Sequence, residues 1–306
     1  MKEGLDPNHK GGISKDSLID GFRAIGVSEG DCLGLGISFK SIGCVVGGPN
    51  VFIDSLIEVI GSKGTLMIPA YTRFFRLSKI DSETAKNYVF DYKSTPAKTG
   101  LIPETLRKKP GSTRSRHPTN SIASYGKHAE YLTKGHDENS GAYQPYSRLA
   151  ELNGKILCIG IGDNLVGIRH EAQNLAGLLG VVPRKDCVRF QDENGKIRLF
   201  HRRDKGGCVR KLPELTPLLR EQNMLCEGKI GMADSILAPA KETLEIMINA
   251  LKNNPAKYLC DEITCLWCRE IERLLNLYDA IENPWFFQKR FLAKKSIALI
   301  NRFRMR

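Results

Sequence analysis

Short apolar segments and amphipathic segments alternate along most of the chain. Continuous apolar runs, bounded by glycine, proline or polar residues, predict buried strands at 32–38, 64–70 and 156–161. Apolar residues that recur at helical spacing predict the helices, which lie at 14–25, 52–60, 102–108, 170–179 and 238–251. This alternation of strands and helices favours an α/β layered fold.

Three local signals refine this pattern. Ser14 can act as the N-cap of the first helix. Residues 74–100 are polar and irregular, and they predict a long loop, which in a compact domain is usually functional or mobile. Farther along, 200–203 and Val209 predict two strands of a hairpin around the Gly206-Gly207 pair.

The excess of basic residues is concentrated at the C-terminal end. The chain carries 46 Lys and Arg against 34 Asp and Glu, a net charge of +12, and residues 283–306 contribute seven basic residues and no acidic one. Because the rest of the chain is nearly balanced, a nucleic-acid-binding surface is disfavoured. We therefore predict one α/β domain over 1–275, followed by a basic amphipathic helix over 276–306.

The basic C-terminal helix would present an apolar stripe, formed by Trp285, Leu292, Leu299 and Phe303. Such a helix suits an anionic membrane surface, and a terminal helix docked on the body with solvated charges explains it equally well. The polar N-terminus lacks a signal-peptide pattern, and no apolar run reaches the ~18 residues of a membrane span. With nine cysteines read as free thiols, we expect a cytoplasmic protein, with peripheral membrane contact through 284–306 as a further expectation.

A glycine- and serine-rich segment follows the first predicted strand. It holds the residues that could bind a phosphate, which are Ser38, Ser41, Gly43, Gly47 and Gly48. Glycines let backbone N–H groups approach an anion, and the next helix begins here, so the segment suits a pyrophosphate. A plain glycine turn is the alternative. Neither a P-loop nor a G-x-S-x-G elbow occurs in the chain.

A basic loop and a single histidine are candidates for binding and catalysis. Arg114 and His117 belong to a compact basic loop that could bind phosphate or simply be solvated. His170 follows the 156–161 strand, where open α/β sheets place ligands, and a neutral imidazole there is a candidate general base. On a helix, Gln173 shares the face of His170, whereas Glu171 points elsewhere.

Three cysteines have the spacing of metal ligands. Cys260, Cys265 and Cys268 form a C-x4-C-x2-C pattern. A structural zinc would need a fourth ligand, for which the candidates are Cys226, Cys208 and His201. Free buried thiols are the alternative.

The ordered set of motifs resembles the aminoglycoside 3-N-acetyltransferase family, the antibiotic N-acetyltransferases. The blocks that carry the match are S-x-x-S-I-G at 38–43, V-G-G-P at 46–49, G-x-x-G-T-L-x-x-P at 61–69, F-D at 90–91, T-P at 95–96, G-x-x-x-E-x-x-R at 100–107, P-G-x-x-R-S-x-H-P at 110–118, the segment 149–160, and H-x-x-Q at 170–173. The resemblance spans roughly residues 14–250.

The resemblance implies a three-layer α/β/α sandwich around a central mixed sheet, which binds acetyl-CoA and acetylates an amine. It places Ser38, Ser41 and Gly43 along CoA, with Gly47 and Gly48 nearby. It also brings Thr72 and Arg114 to CoA, and the basic loop that includes His117 suits a CoA phosphate. In this scheme His170 is the catalytic base. The acceptor would be an amine such as an amino sugar.

The chain departs from the family pattern at the site itself. Where the family has T-x-x-H-x-x-E, this sequence has Gly167 and Gln173 at the outer positions. The family's H-x-S-L begins here with Gly36, and its S-P step reads Gln144-Pro145. Either a nearby carboxylate (Glu171, Asp163 or Glu104) substitutes, or the chain is a catalytically impaired CoA-binding or scaffold relative. For this alternative, a tie to membrane-associated polysaccharide synthesis is a further expectation.

Overall fold

The computed structural model describes residues 12–178, 185–202 and 207–279, with side chains described up to 275 in the last range. Its strands are β1 (Cys32–Ile37), β2 (Thr65–Pro69), β3 (Phe75–Arg76), β4 (Val89–Phe90), β5 (Thr113–Arg114), β6 (Ile122–Gly126), β7 (Lys155–Ile159), β8 (Asp186–Gln191), β9 (Ile197–His201), β10 (Cys226–Ile230) and β11 (Ala233–Pro239). Its helices are α1 (Lys15–Ala24), α2 (Phe39–Ile42), α3 (Gly48–Ile60), α4 (Glu83–Lys86), α5 (Leu101–Lys108), α6 (Ala129–Thr133), α7 (Gln144–Glu151), α8 (Ile168–Leu175), α9 (Thr216–Glu221), α10 (Ala240–Asn253) and α11 (Leu266–Asp279). Short 3-10 helices lie at Leu77–Lys79, Leu212–Leu215 and Pro255–Tyr258.

A seven-stranded mixed sheet organises the fold, in the order β10-β11-β7-β1-β2-β6-β5. The three central strands β7, β1 and β2 are parallel, and antiparallel strands extend the sheet on both sides. The three runs predicted as buried strands are these central strands. The flanking strands carry shorter or more polar segments, and the hydrophobic pattern did not identify them.

Helices cover both faces of the sheet. Along β7, Ile156 and Cys158 belong to one buried cluster, whereas Leu157 and Ile159 belong to the other, as the two-residue period of a strand requires. The first cluster also takes buried side chains from α7, α8, α10 and α11, and the second takes them from α1, α3 and α5. The three-layer α/β/α sandwich around a mixed sheet is therefore confirmed.

The predicted boundaries agree with the structure to different degrees. Ser14 caps α1, since its hydroxyl accepts a hydrogen bond from the Ser17 amide at 3.1 Å. The helix predicted at 170–179 is α8, which begins two residues earlier and ends at Leu175. The boundary predicted at 275/276 falls inside α11. The tail helix predicted over 276–306 lies, beyond residue 279, outside the described residues.

The loop predicted at 74–100 is instead part of a second, smaller sheet. Here β3 and β4 flank β8, and β9 pairs with β8 in an antiparallel hairpin. Phe90, Val188, Phe190 and Phe200 form a small core of its own. Val209, expected in the second strand of a hairpin around Gly206-Gly207, lies in no strand. The partner of β9 is instead β8, to which the polar turn at 192–196 connects it. The strands β3 and β4 have two residues each, too few to produce an alternating pattern.

No helix in the described part of the chain combines the length and the apolarity required to cross a bilayer.

Glycine at position 36 allows the segment before α8 to cross close to β1. A Cβ atom at Gly36 would lie 2.1 Å from Cγ1 of Val166 and 2.9 Å from Cδ1 of Ile161. Val166 itself has a φ of 38°, which is strained for a β-branched residue. The position of α8 therefore depends on the absence of a side chain in β1.

We expect Gly36→Ala to destabilise the fold by about 1–3 kcal/mol, because the added methyl group overpacks this contact. Urea denaturation measures the loss. In the double variant with Val166→Ala the clash is relieved, so the combined loss should be smaller than the sum of the two single losses. Simple additivity within ~0.5 kcal/mol would contradict the proposed contact.

Candidate active site

The carboxyl ends of the three parallel strands border a cavity of about 380 Å³. Ile37 and Pro69, the last residues of β1 and β2, line it together with Ile161, which follows β7. Open α/β sheets bind ligands at this edge, and the volume lies within the range of small-molecule sites.

His170 lies in the first turn of α8 and lines this cavity. Its amide donates a hydrogen bond to the Gly167 carbonyl oxygen at 3.0 Å, which fixes the start of the helix. The ring of Tyr143 lies against the imidazole, with centroids 4.9 Å apart and planes tilted by 39°. The half-buried imidazole is thus held between its helix and an aromatic wall.

Gln173 orients the imidazole from one turn farther along α8. The distance from His170 Nδ1 to Gln173 Oε1 is 2.8 Å, and the side chain of Gln173 is fully buried. The amide of Gly207 donates a second hydrogen bond to the same Oε1 at 3.2 Å. Because a backbone N–H can only donate, this bond assigns the amide oxygen to that position.

The tautomer of His170 follows from this assignment. An oxygen at Oε1 requires the proton to be on Nδ1, which leaves the lone pair of the neutral ring on Nε2. A neutral imidazole at the wall of a ligand-sized cavity has the form that a general base needs.

Gly207 contributes to the site through its backbone, and the sequence offered no signal for this role. A Cβ atom at position 207 would lie 2.4 Å from Cε2 of Trp267 and 2.9 Å from Nε2 of Gln173. Only glycine therefore brings its amide between the indole of α11 and the amide of α8. Tyr143 was missed as well, although it directly precedes the Gln144-Pro145 step.

Arg169, which directly precedes His170 in the chain, carries a buried positive charge. Its side chain lines the cavity, is almost fully buried and donates to the Asn164 side-chain oxygen. Burial lowers the pKa of Arg169 to about 10, so the group stays charged near neutral pH. Neither Nε nor Nη1 has a hydrogen-bond partner within the described ranges. The cavity wall thus contains a buried guanidinium with two nitrogen atoms that lack a partner among the described residues.

The comparison with known families decides the relationship. The sequence model described as aminoglycoside 3-N-acetyltransferase matches residues 36–252, which is most of the chain. The chain belongs to this family. Aminoglycoside N(3)-acetyltransferase VII of Streptomyces paromomycinus is 28% identical, over 77% of this chain and 90% of its own length. The corresponding enzyme IX of Micromonospora chalcea is 26% identical, over 79% of this chain and 95% of its own length.

Solved structures of aminoglycoside acetyltransferases have the same fold as this chain. The crystal structure of aminoglycoside acetyltransferase AAC(3)-IVa as apoenzyme superposes with a TM-score of 0.72 at 23% identity, covering 87% of this chain and 99% of its own. The binary complex of AAC-IIIb with CoASH has a TM-score of 0.71 at 24% identity, covering 79% of this chain and 97% of its own. At these identities the likeness shows the shared α/β sandwich.

This chain has Gly167 where the family has a threonine, and an aromatic ring occupies the space that a side chain would need there. A Cβ atom at Gly167 would lie 2.2 Å from Cε2 and 3.0 Å from Oη of Tyr146. Tyr146 comes from α7 and is almost fully buried. The space beside the N-terminus of α8 is therefore occupied, and a threonine would not fit there without displacing the ring.

Three of the predicted cofactor residues make internal contacts instead of facing the cavity. Thr72 is buried and donates to the Pro118 carbonyl oxygen at 2.6 Å. The Arg114 guanidinium donates to Ser121 Oγ and to backbone carbonyl oxygens, among them that of Ala70 at 3.0 Å. Burial lowers the pKa of Arg114 to about 10. These contacts favour a structural role for both residues.

His117 also lies inside the protein. It is fully buried, its Nδ1 accepts hydrogen bonds from the Thr119 and Asn120 amides, and its ring stacks on His136 at 4.9 Å. Burial, followed by the neighbouring His136, holds the pKa of His117 well below 6.5. A neutral, enclosed imidazole does not provide the positive charge expected for a phosphate contact.

The other predicted cofactor residues follow β1 in the chain and do not line the cavity of His170 either. Ser41 donates to Ser38 Oγ at 2.8 Å, and the Ser38 amide donates to the Ile159 carbonyl oxygen of β7 at 2.9 Å. Gly43, Gly47 and Gly48 follow on the path into α3, and all three have positive φ. Because these five residues are partly or fully exposed, the segment is open to a ligand.

The carboxylates considered as replacements for the missing glutamate are engaged elsewhere. Glu171 is buried, accepts from Ser147 Oγ at 2.5 Å and borders a separate cleft. Asp163 pairs with Arg220 at 2.5 Å. The Arg107 guanidinium holds the pKa of Glu104 at about 2. The contact of Glu171 with Ser147 and its place in the separate cleft lie away from the cavity that His170 lines, and a catalytic role for Glu171 stays a prediction.

The cysteine spacing leads to a compact cluster outside the cavity. Cys260, Cys265 and Cys268 meet Cys208, with all four sulfur atoms within 4.8 Å of one another. Of the other candidates for a fourth ligand, Cys226 is exposed in β10 and His201 ends β9.

We expect Gln173→Glu to raise the pKa of His170, because a carboxylate at this position favours the protonated ring. A titration of the imidazole resonances by NMR measures the change, with His170→Ala used to assign the signal. Gln173→Glu keeps an acceptor for both donors, so the fold should be retained. An unchanged pKa of His170 would contradict the contact between these two side chains.

Proposed function

We propose that the chain is an acetyl-CoA-dependent N-acyltransferase whose acceptor is an amine such as an amino sugar, with His170 as the general base. The observation that carries this proposal is the double hydrogen bond to Gln173 Oε1, which orients the imidazole of His170 at the wall of a ligand-sized cavity. Membership in the family supplies the reaction class.

The chemistry follows from the charge states. An amine attacks a thioester carbonyl only as the neutral nucleophile, and it must lose a proton as the C–N bond forms. His170 Nε2 takes this proton, while the C–S bond breaks and CoA leaves as the thiol after protonation. General-base assistance of this kind contributes roughly 10²–10⁴-fold in rate.

The segment after β1 is proposed to hold CoA. Ser38 and Ser41 offer hydroxyl groups at the strand edge, and Gly47 and Gly48 lead into the N-terminus of α3. Backbone N–H groups at a helix N-terminus favour an anion such as a pyrophosphate. Relatives of this chain support the choice, since AAC-IIIb has been solved with CoASH.

The acceptor proposed here carries fewer positive charges than an aminoglycoside antibiotic. Arg169 is a buried cation in the cavity wall, and none of the described residues that line the cavity is acidic. A polycationic acceptor would be repelled by the guanidinium, whereas a sugar with a single amine would not. A panel of amines with one to five amino groups, assayed by CoA release, tests this preference.

A catalytically impaired CoA-binding or scaffold protein is the second candidate. The replacement of the family's threonine and glutamate by Gly167 and Gln173 favours it, because both polar groups that would support the reaction are changed. Binding of acetyl-CoA in calorimetry without turnover of any amine in the panel would establish this alternative.

We expect His170→Ala to lower kcat/KM by about 10²–10⁴-fold while binding of acetyl-CoA is retained, because only the base is removed. Thiol release measures turnover, and calorimetry measures binding. His128→Ala, which removes an imidazole at the start of α6, is the matched control and should keep full activity. Full turnover by His170→Ala would exclude His170 as the base.

The charge of residues 283–306 supports a location at the cytoplasmic face of a membrane, with seven basic residues and no acidic one. Each basic residue near an anionic surface contributes roughly 1 kcal/mol. We expect the full chain to float with vesicles of anionic lipid and not with neutral vesicles, and a chain that lacks 284–306 to float with neither. Equal flotation of both forms would refute the membrane contact.

A further inference from the structure

Four cysteine side chains converge between two segments that are far apart in the sequence. Cys208 lies in the stretch that follows the smaller sheet, whereas Cys260, Cys265 and Cys268 surround the start of α11. Their sulfur atoms all lie within 4.8 Å of one another. Three of the four side chains are buried, and none of the four is in a disulfide.

The size of the cluster matches a metal centre. Zinc binds thiolates at about 2.3 Å in a tetrahedron, which corresponds to a sulfur–sulfur separation of about 3.8 Å. Four sulfur atoms that mutually approach within 4.8 Å need only small side-chain adjustments to reach this geometry. Disulfides would join the sulfur atoms in two pairs, and pairing alone gives no reason for all four to converge.

Backbone amides already point at the sulfur atoms. The Cys260 amide donates to Cys268 Sγ at 3.2 Å, and the Arg210 amide donates to Cys208 Sγ at 3.4 Å. The guanidinium of Arg210 lies 3.8 Å from Cys260 Sγ. Such N–H groups stabilise metal-bound thiolates, and a nearby cation offsets the net negative charge of a zinc ion with four thiolates.

We propose that Cys208, Cys260, Cys265 and Cys268 bind a structural zinc ion. All four tetrahedral positions are filled by protein ligands, so the site has no open position for a substrate, as in structural zinc sites. Tetrahedral sulfur coordination also suits iron, and the choice of zinc rests on its preference for closed four-cysteine sites with no redox role.

The zinc ion would fasten the outer wall of the candidate active site. Cys208 directly follows Gly207, whose amide holds Gln173, and Trp267 of α11 packs against Gly207 beside Cys268. The indole also donates to the Leu178 carbonyl oxygen at 3.1 Å. A metal that joins Cys208 to the start of α11 therefore fixes the backbone amide that orients His170 through Gln173.

Elemental analysis of the full chain, purified without added chelator, tests the site. We expect one zinc per chain in the native protein, and a fall to background in Cys265→Ser and Cys268→Ser. Cys226→Ser and Cys44→Ser are matched controls, since both cysteines are exposed and lie outside the cluster, and both should retain one zinc. Equal zinc content in all variants, or iron in place of zinc, would overturn the proposal.

Two measurements on the native sequence keep the test independent of whether the variants fold. Replacement by cobalt(II) should give the visible absorption bands of tetrahedral thiolate coordination. Thiol titration in denaturant with a chelator and no reductant should find all nine cysteines reduced. Missing cobalt bands, or four thiols absent from the count, would refute the metal site and show an unoccupied or disulfide-bonded cluster.

Discussion

The side-chain oxygen of Gln173 accepts two hydrogen bonds, and the geometry of the candidate site depends on this shared acceptor. One donor is the imidazole on the same helix, and the other is the backbone of Gly207, which the chain brings back after the smaller sheet. Neither bond alone would define the site. The imidazole could pair with either end of the amide, and only the second bond assigns the oxygen to His170.

A neutral amide changes what the pair can do. A glutamate at this position would orient the imidazole and would also stabilise its charged form, whereas Gln173 only orients it. The surroundings agree with the neutral choice, since Gln173 is fully buried and a charged side chain there would lose its hydration. Gln173 therefore orients the imidazole as a glutamate would, but it adds no negative charge to stabilise the protonated ring.

Local sequence signals predicted a large part of this site. Helical spacing alone put Gln173 beside His170 and turned Glu171 away, and the three apolar runs identified the parallel strands whose ends form the cavity. Both follow from periodicity, which acts over a few residues. The role of Gly207 could not be predicted in this way, because it depends on a contact across 34 positions of the chain.

The burial of polar residues was likewise beyond the reach of local patterns. Arg114 and His117 look like a solvated basic loop in the sequence. The Arg114 guanidinium is instead bound by the Ala70 carbonyl oxygen, and the rings of His136 and Phe200 pack against His117. The smaller sheet was missed for a related reason, since two-residue strands carry no period. In each case the decisive partner is distant in sequence.

The departures from the family motif at the cavity are coupled to packing. Gly36 and Gly167 stand where the family has a histidine and a threonine, and both lack room for any side chain. Val166 fills the space at Gly36, and Tyr146 fills the space at Gly167. Each glycine thus lies against a bulky neighbour, and a side chain at either position would require that neighbour to move.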